Sequence, residues 1–246
     1  MSPTKQLFAE DAYASTCDAE VLAINQLGGI VLDQTVFYAT SGGQPGDTGF
    51  LERQDGTLIR IATTVYEKGD KTIIVHVPDE GQATPDIGEK LVAHIDWDRR
   101  HKLARMHTAC HVLSVVCPQP ITGAAVGENE SRIDFDMSET ADKAAVSEAM
   151  MEIVNANHPV FTKWISEEEL DANPGLVRSK NVKPPRGVGK IRLVCIGEDS
   201  SVDSQPCGGT HVGETAEIGE IHIGKIEKKG RENRRMRIRF GPLPQN

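Results

Sequence analysis

Several absences bound the interpretation of this sequence. It has no apolar run long enough to cross a membrane as a helix, so we expect no membrane partner. Its five cysteines form no regular framework, and an odd, irregular set is typical of a reducing compartment. Its first residues also lack the basic and apolar sections of a secretory signal. These absences together predict a cytoplasmic protein.

Net positive charge is also missing. The formal net charge of −9 excludes a generally basic coat for nucleic acid, and nothing in the sequence predicts DNA binding. The charge is unevenly distributed, however. The segment from Lys225 to Arg239 holds eight basic and two acidic residues, so it carries +6 and leaves −15 for the remainder. A local basic surface is therefore predicted near the C-terminal end of the sequence.

The first ninety residues have the pattern of short strands and turns. The chain of 246 residues suits two modest domains, and its 38% hydrophobic content is enough for folded cores. A segment from Ser41 to Gly49 is too rich in glycine for a regular element. We predict a β-barrel-like domain over residues 1–90, with β-prone runs at Val21–Ile24, Ile30–Leu32, Leu58–Val65 and Thr72–Val77.

Residues 91–246 alternate helical and strand patterns. A helix is predicted from Trp97 to about Cys117, where Pro118 and Pro120 stop it. The pattern predicts an α+β fold in which an antiparallel sheet packs on helices. The other predicted elements are a hairpin of Ile121–Val126 with Ser131–Phe135, helices at Asp142–Asn157 and Glu167–Ala172, and strands at Ile191–Ile196, Glu217–Ile226 and Arg235–Phe240.

Two spaced pairs of metal-ligating residues stand out. His107 and His111 are four residues apart, so a helix would place both imidazoles on one face. Cys207 and His211 flank the turn Gly208-Gly209-Thr210, where glycine lets the backbone bend both side chains toward one point. Three nitrogen donors and one sulfur donor suit Zn²⁺, so we predict a zinc site at these four residues.

The residues between and beside the two pairs limit which class of metal site this could be. A His-x-x-x-His spacing alone is common on helices, and it is the second pair that makes a metal site the favoured reading. Thr108, Ala109 and Cys110 stand where a metalloprotease would have its glutamate, which disfavours that class of enzyme. Asp203 and Gln205 precede Cys207 closely enough to orient ligands from outside the donor set. Solvated loop residues are the simpler alternative for both.

Five stretches together resemble a known family. They are Ser41–Gly49, Asp98–His111, Ile121–Phe135, Asp203–Gly213 and Ile218–Phe240. The chain resembles the freestanding alanyl-tRNA editing proteins (the AlaX family), which are relatives of the editing domain of alanyl-tRNA synthetase. Its glycine-rich N-terminal domain resembles that of the medium-length class. A fragment of a larger synthetase is the alternative, although the last residues, Phe240–Asn246, have the look of a natural end.

The resemblance implies a trans-editing hydrolase that works without ATP. Its substrate would be alanine tRNA carrying serine, Ser-tRNA(Ala), with Gly-tRNA(Ala) as a second candidate, and its metal would be Zn²⁺. Thr122 falls where the family places the hydroxyl that senses serine, and Ala124 departs from the serine that often follows there. Gln44, in Gly42-Gly43-Gln44, is a further candidate for holding the tRNA end, with a purely structural turn as the alternative.

Two other functions share part of this residue set. A zinc-stabilised tRNA-binding module without catalysis would have the same ligands and basic segment but would need no Thr122. A threonyl-type editing domain would have similar His and Cys-His pairs. The expected contacts with the tRNA backbone are Lys228, Lys229, Arg231, Arg234 and Arg235, although a solvated charge run is the plain alternative.

Overall fold

The computed structural model describes residues 2–181, 184 and 189–244. Its backbone contacts divide the chain into two compact units, Met1–His101 and Lys102–Asn246. The chain as a whole combines a six-stranded barrel, further sheets and few helices, which is consistent with the predicted α+β class. The domain boundary expected after residue 90 remains a prediction.

The first unit is built around a closed barrel of six strands. The strands described in this unit are β1 (Lys5–Gln6), β2 (Thr16–Ile24), β3 (Ile30–Leu32), β4 (Gln34–Thr35), β5 (Gly49–Arg53), β6 (Leu58–Glu67), β7 (Asp70–Pro78) and β8 (Lys90–Ile95). Strands β1 and β4 pair with each other and are not part of the barrel. The barrel runs in the order β2-β3-β7-β6-β5-β8, and β8 closes it by pairing antiparallel with both β2 and β5. In the first half of β6, the buried Ile59 and Ile61 alternate with exposed residues, as expected for a strand with one face toward a core. Val21, Leu32, Leu51 and Ile59 form part of that core.

The second unit contains a four-stranded and a three-stranded antiparallel sheet. Helix α1 (Trp97–Val116) begins in the first unit and lies mostly in the second. The later elements are β9 (Ile121–Ala125), β10 (Glu130–Asp136), α2 (Lys143–Asn155), β11 (Val160–Ile165), α3 (Glu167–Ala172), β12 (Ile191–Ile196), β13 (Asp203–Pro206), β14 (Ile221–Gly230) and β15 (Asn233–Phe240). The larger sheet has the order β14-β15-β10-β9, and the smaller has the order β11-β12-β13.

Helices α1 and α2 share one hydrophobic core with the larger sheet. Met106 of α1, Met150 of α2, Phe135 of β10 and Ile238 of β15 are all fully buried in that core. Every second residue of β10 is buried. The residues between them, Glu130, Arg132, Asp134 and Asp136, lie on the opposite face of the strand. The predicted hairpin of β9 and β10 is confirmed, with Ile133 paired to Ala124.

Local capping signals fix two of the helices. Asp142 accepts hydrogen bonds from the first backbone amides of α2 at 2.8 and 3.0 Å. Ser166 and Glu169 form the predicted capping box of α3. One predicted strand is shifted: Thr215–Ile218 is a 3₁₀ turn, and β14 starts only at Ile221. Gly219, which has a φ of +71°, lies in the turn that separates the two.

Candidate metal centre

The four predicted ligands lie together in the second unit. His107 and His111 lie on one face of α1, while Cys207 and His211 lie in the loop that follows β13. The Cys207 sulfur is 3.5 Å from His107 Nε2 and 3.4 Å from His211 Nε2. One donor atom from each of the four residues lies within 4.8 Å of all the others.

This donor set fits a tetrahedral ion. Zn–N bonds near 2.05 Å and a Zn–S bond near 2.3 Å imply separations of about 3.3–3.6 Å between donors at tetrahedral angles. Both measured separations from the Cys207 sulfur fall in that range. The three histidines are also almost fully buried, so their donor atoms have little access to bulk water. The arrangement can hold a metal ion, and its nitrogen and sulfur donors select a transition metal rather than Ca²⁺ or Mg²⁺.

Asp203 orients His111 from outside the donor set. Its Oδ2 lies 3.1 Å from His111 Nδ1, which leaves Nε2 of the same ring for a metal. The carboxylate also accepts hydrogen bonds from Arg178 at 2.8 Å and from Gln205 at 2.8 Å. Gln205 donates to Ser114 Oγ as well, at 2.8 Å. Asp203 and Gln205, which the sequence identified as candidates for this role, are therefore built into the site rather than solvated.

Thr108 orients His211 from outside the donor set, and the sequence did not identify this role. Its hydroxyl donates to the Ala104 carbonyl at 2.9 Å and lies 3.1 Å from His211 Nδ1. Because the hydroxyl proton is used on the carbonyl, Thr108 accepts from Nδ1–H and leaves His211 Nε2 free to face Cys207. The residues around Thr108 gave no signal of this role, because His211 lies 103 positions further along the chain.

Arg192 holds the loop that carries Cys207. Its guanidinium donates to the carbonyls of Cys207 and Gly209, at 2.9 Å each. The backbone amide of Gly209 donates in turn to the Cys207 sulfur at 3.4 Å. A thiolate accepting such a bond is stabilised as an anion, so the loop geometry prepares Cys207 for a cation.

The electrostatics of the cluster also favour a cation. Burial raises the pKa of Cys207, but the neighbouring histidines, His107 above all, outweigh burial and hold that pKa well below the ordinary thiol value. Burial lowers the pKa of His111, but Asp203 and the Cys207 thiolate together raise it to about 10. Cys110 differs, because burial raises its pKa to about 12 and keeps it a neutral packing residue.

Thr122 lies on β9 with its hydroxyl firmly held. The hydroxyl donates to the Asp134 carbonyl at 3.1 Å and accepts from Asn233 Nδ2 at 2.8 Å. Its own carbonyl accepts from Asn181 Nδ2 at 2.9 Å. The Asp134 carboxylate is paired with Arg235 at 2.7 Å, so this end of the sheet is densely hydrogen-bonded.

One short segment contacts both Asp203 and β9. Arg178, at its start, donates to Asp203 and to the Ser114 carbonyl. Ser179 pairs in parallel with Ile121, which precedes Thr122. Asn181, at its end, donates to the Thr122 carbonyl. The segment 178–181 therefore connects the carboxylate behind His111 with the strand that carries Thr122, and nothing in the sequence pattern pointed to it.

Gln44 belongs to the first unit, whereas the other candidate residues belong to the second. It is fully buried, and its backbone exchanges hydrogen bonds with Ser41 across a turn at Gly42 and Gly43. A Cβ on Gly46 would lie 1.9 Å from the Thr64 carbonyl oxygen, so part of the glycine-rich segment serves close backbone packing. A role for Gln44 at the tRNA end remains a prediction.

The basic segment forms the hairpin of β14 and β15, and its five candidate RNA contacts divide into two groups. Lys228, Lys229 and Arg231 are exposed at the tip. Arg234 is only 5% exposed, and it donates to the carbonyls of Gly230, Arg231, Asn233 and Ser138. These bonds, made by its two terminal nitrogens, hold the hairpin together from within the protein. Arg235 is half-buried in its ion pair with Asp134. The structure thus gives Arg234 and Arg235 internal partners, and only the tip group faces solvent.

Other arginines of β15 form an ion-pair network on the outer face of the sheet. Arg237 pairs with both Glu130 and Glu227, and Arg239 pairs with Glu130 at 2.6 Å. Arg237 lowers the pKa of Glu227 to about 2. Half-buried charges of this kind are balanced across neighbouring strands rather than left for a ligand.

Among the residues that the structure describes, we find no helix that is both long and apolar enough to span a membrane.

Two family models match the chain. The model described as tRNA synthetases class II (A) matches residues 8–99, which include the barrel. The model described as the threonyl and alanyl tRNA synthetase second additional domain matches residues 191–237, which include Cys207 and His211. The second match thus covers half of the donor set.

Several curated proteins are similar over nearly all of the chain. It is 35% identical to the alanyl-tRNA editing protein AlaX-M of Methanosarcina mazei over 244 residues, which is 95% of each protein. It is 30% identical to AlaX-M of Saccharolobus solfataricus over 237 residues, covering 95% of this chain and 97% of the relative. It is also 39% identical to the alanine–tRNA ligase of Pyrobaculum aerophilum over 236 residues. That alignment covers 92% of this chain but only 25% of the ligase, so the chain spans about a quarter of the ligases that it matches.

Proposed function

The chain belongs to the family of alanyl-tRNA editing proteins, and from this premise we propose that it hydrolyses the ester that joins serine to the 3′ end of alanine tRNA. Glycine on the same tRNA is the second candidate substrate. The observation that carries the proposal is the similarity to alanyl-tRNA editing proteins over 95% of the chain, whose second unit also holds the four-donor cluster. The protein would act in trans, without ATP and in the cytoplasm, to preserve the accuracy of translation.

The chemistry of alanine selection explains why such a hydrolase is needed. A pocket built for alanine cannot strongly reject serine, which adds only a hydroxyl, or glycine, which lacks only a methyl group. A second site that hydrogen-bonds the serine hydroxyl can refuse alanine, because alanine would leave a polar group of that site without a partner. Thr122 is the candidate for that group.

Zn²⁺ is the ion that we propose for the donor set of His107, His111, Cys207 and His211. When bound, zinc supplies a positive charge that can polarise an ester carbonyl or a water molecule. Asp203 and Thr108 would keep the Nε2 atoms of His111 and His211 directed at one point. In the reaction, oxygen from water bonds to the carbonyl carbon, the bond to the ribose oxygen breaks, and that oxygen takes a proton. The products are free serine and tRNA with its terminal hydroxyl restored.

The proposal is tested by serine release from Ser-tRNA(Ala) with purified, zinc-loaded protein. Ala-tRNA(Ala) is the matched control, since it differs only by the hydroxyl. We expect serine to be released and alanine to be retained. Release of both amino acids would indicate an unselective esterase, and release of neither would refute the proposed hydrolysis.

A zinc-stabilised tRNA-binding module is the second candidate function. Four protein donors close a zinc site, and closed sites are typically structural, whereas catalytic sites usually keep one position open. The four donors found here therefore favour this alternative directly. It predicts tRNA binding without ester cleavage.

A threonyl-type editing domain is a third candidate, because one matching family model covers both threonyl and alanyl proteins. The full-length similarity to alanyl-tRNA editing proteins favours the alanine branch. Moving the serine from alanine tRNA to threonine tRNA distinguishes the two: we expect release only from the former.

A further inference from the structure

The hydroxyl of Thr122 has a fixed hydrogen-bonding polarity. A hydroxyl has one proton to donate and two lone pairs that accept. The Asp134 carbonyl, 3.1 Å away, can only accept, so it takes the proton. Asn233 then donates from Nδ2 to one lone pair, at 2.8 Å. What remains at Thr122 is one lone pair, so any further partner must be a donor.

The same contacts determine the orientation of the Asn233 amide. If its oxygen faced Thr122 instead, the hydroxyl would meet two acceptors with one proton. The nitrogen therefore faces Thr122, and Oδ1 points elsewhere. Within residues 2–181, 184 and 189–244, this buried Oδ1 has no hydrogen-bond partner. A buried acceptor without a partner is costly, so Asn233 adds a second demand for a donor.

The surrounding residues hold this arrangement rigidly. Asn233 is the first residue of β15, opposite Asp136 of β10 and Gly230 of β14. The Asp134 carboxylate is held by Arg132 and Arg235, at 2.7 Å each. These ion pairs fix the strand whose carbonyl takes the Thr122 proton, so the hydroxyl cannot easily rotate to donate elsewhere.

We propose that Asn233 is a positioning residue that sets Thr122 as a hydrogen-bond acceptor, so that the site selects an amino acid whose side chain donates a proton. The inference rests on the proposed function and specifies its recognition step. Serine is accepted as a donor rather than for its size, and glycine, which has no side-chain donor, is therefore expected to be released more slowly than serine. The structure assigns this specificity to a pair of residues on β9 and β15, of which the sequence indicated only Thr122.

A substrate analogue tests the requirement for a donor in the wild-type protein. In 3-fluoroalanine, a fluorine occupies the place of the serine hydroxyl but carries no proton. We expect its release from alanine tRNA to be at least about tenfold slower than release of serine. Release within about twofold of the serine rate would overturn the proposal. Absence of serine release by the wild type would instead refute the proposed function, so the two failures are distinguishable.

A double-mutant cycle tests Asn233 itself. We expect Asn233→Ala to slow single-turnover release of serine about tenfold, and to have no further effect in a Thr122→Val background. A merely structural role would slow release by the same factor in both backgrounds, and that result would overturn the assignment. Arg239→Ala is the matched control on the same strand, because its partner is Glu130, and its effect should be equal in both backgrounds.

The Asn233→Asp variant distinguishes the size of the Asn233 side chain from the hydrogen bond that its amide donates to Thr122. The carboxylate keeps the size of the amide but has no proton for Thr122, so we expect it to lose as much activity as Asn233→Ala. Zinc content and urea unfolding of each variant would show that the site is folded. An Asn233→Asp variant with wild-type serine release would contradict the proposal, and if that variant does not fold, the Ala variant and the fluorinated substrate still decide.

Discussion

His76 in the first unit and His111 in the second are both buried, yet they meet opposite surroundings. His76 Nδ1 donates to the Ile30 carbonyl at 3.1 Å, and its Nε2 lies 2.8 Å from the Thr35 hydroxyl. Both partners are neutral, and burial lowers the pKa of His76 to about 4. His111 meets the Asp203 carboxylate and the Cys207 thiolate, which outweigh burial and raise its pKa to about 10. Anionic neighbours, rather than burial, therefore account for the difference between the pKa of His111 and that of His76.

The two units also differ in how they balance buried charge. In the barrel unit, the fully buried Arg100 donates to the buried Asp47 and to the Val36 carbonyl at 2.7 Å. That charge is balanced within the protein. In the second unit, three imidazoles and one thiol converge on one point, where a bound cation would balance the negative charge of a thiolate. The first unit should therefore be indifferent to metal, and the second should depend on it.

The largest expected effect is loss of a ligand. His107→Ala or Cys207→Ala should remove bound zinc and slow serine release on the order of 1000-fold, because the cation supplies several kcal/mol to the reaction. His94→Ala, a half-buried histidine of the barrel, is the matched control and should keep both. Atomic emission and single-turnover assays measure the two quantities. Full activity in a zinc-free variant would refute the assignment of the zinc site to these residues.

The second effect concerns the barrel. Asp47→Ala leaves Arg100 buried without its counter-ion, so we expect a loss of about 3–5 kcal/mol in the free energy of unfolding of the first unit, with zinc content unchanged. Trp97 fluorescence during urea unfolding reports on this unit once Trp164 is replaced by Phe. Glu80→Ala, at an exposed position, should change little. A loss of zinc with Asp47→Ala would show that the units are not independent.

A third effect is a dependence of barrel stability on pH. The folded pKa of His76, about 4, lies below the ordinary value of 6.5, so the unfolded chain binds the proton more tightly. The stabilisation is fully present above pH 6.5 and falls as the pH drops toward 4, by about 3 kcal/mol in total. The same Trp97 measurement at several pH values checks it. His76→Gln does not titrate, and a pH slope unchanged by it would assign the effect to other groups.

The smallest effect separates the two groups of basic residues in the hairpin. Replacing Lys228, Lys229 and Arg231 by Ala should lower the slope of log affinity for tRNA against log salt concentration by about 2, without unfolding. Arg234→Ala should instead destabilise the hairpin, because it loses its bonds to the Gly230 and Ser138 carbonyls. An unchanged slope in the tip variant would place the RNA contacts elsewhere.

Local patterns in the sequence predicted much of this structure. The hairpin of β9 and β10, the start of α2 and the Ser166 capping box all depend on neighbours within a few residues, so their signals are readable. The two ligand pairs were recognisable for the same reason, since each pair is separated by four positions.

Partners far apart in the chain were not predictable. Thr108 meets His211 across 103 positions, and nothing near Thr108 records that contact. Strands β5 and β8 were missed because each is identified by its pairing around the barrel rather than by its own periodicity. Arg234 was expected on the surface, since a run of basic residues gives no sign that the Ser138 carbonyl, 96 positions away, lies within reach.

The segment 178–181 links two parts of the second unit, Asp203 and strand β9. Its first residue donates to Asp203, and its last residue, three positions later, donates to the Thr122 carbonyl. The number of residues in this segment therefore limits how far apart Thr122 and the carboxylate behind His111 can lie. Adding or deleting one residue would force either Arg178 or Asn181 to release its partner. The length of this segment, more than its composition, would then fix where Thr122 lies relative to the donor set.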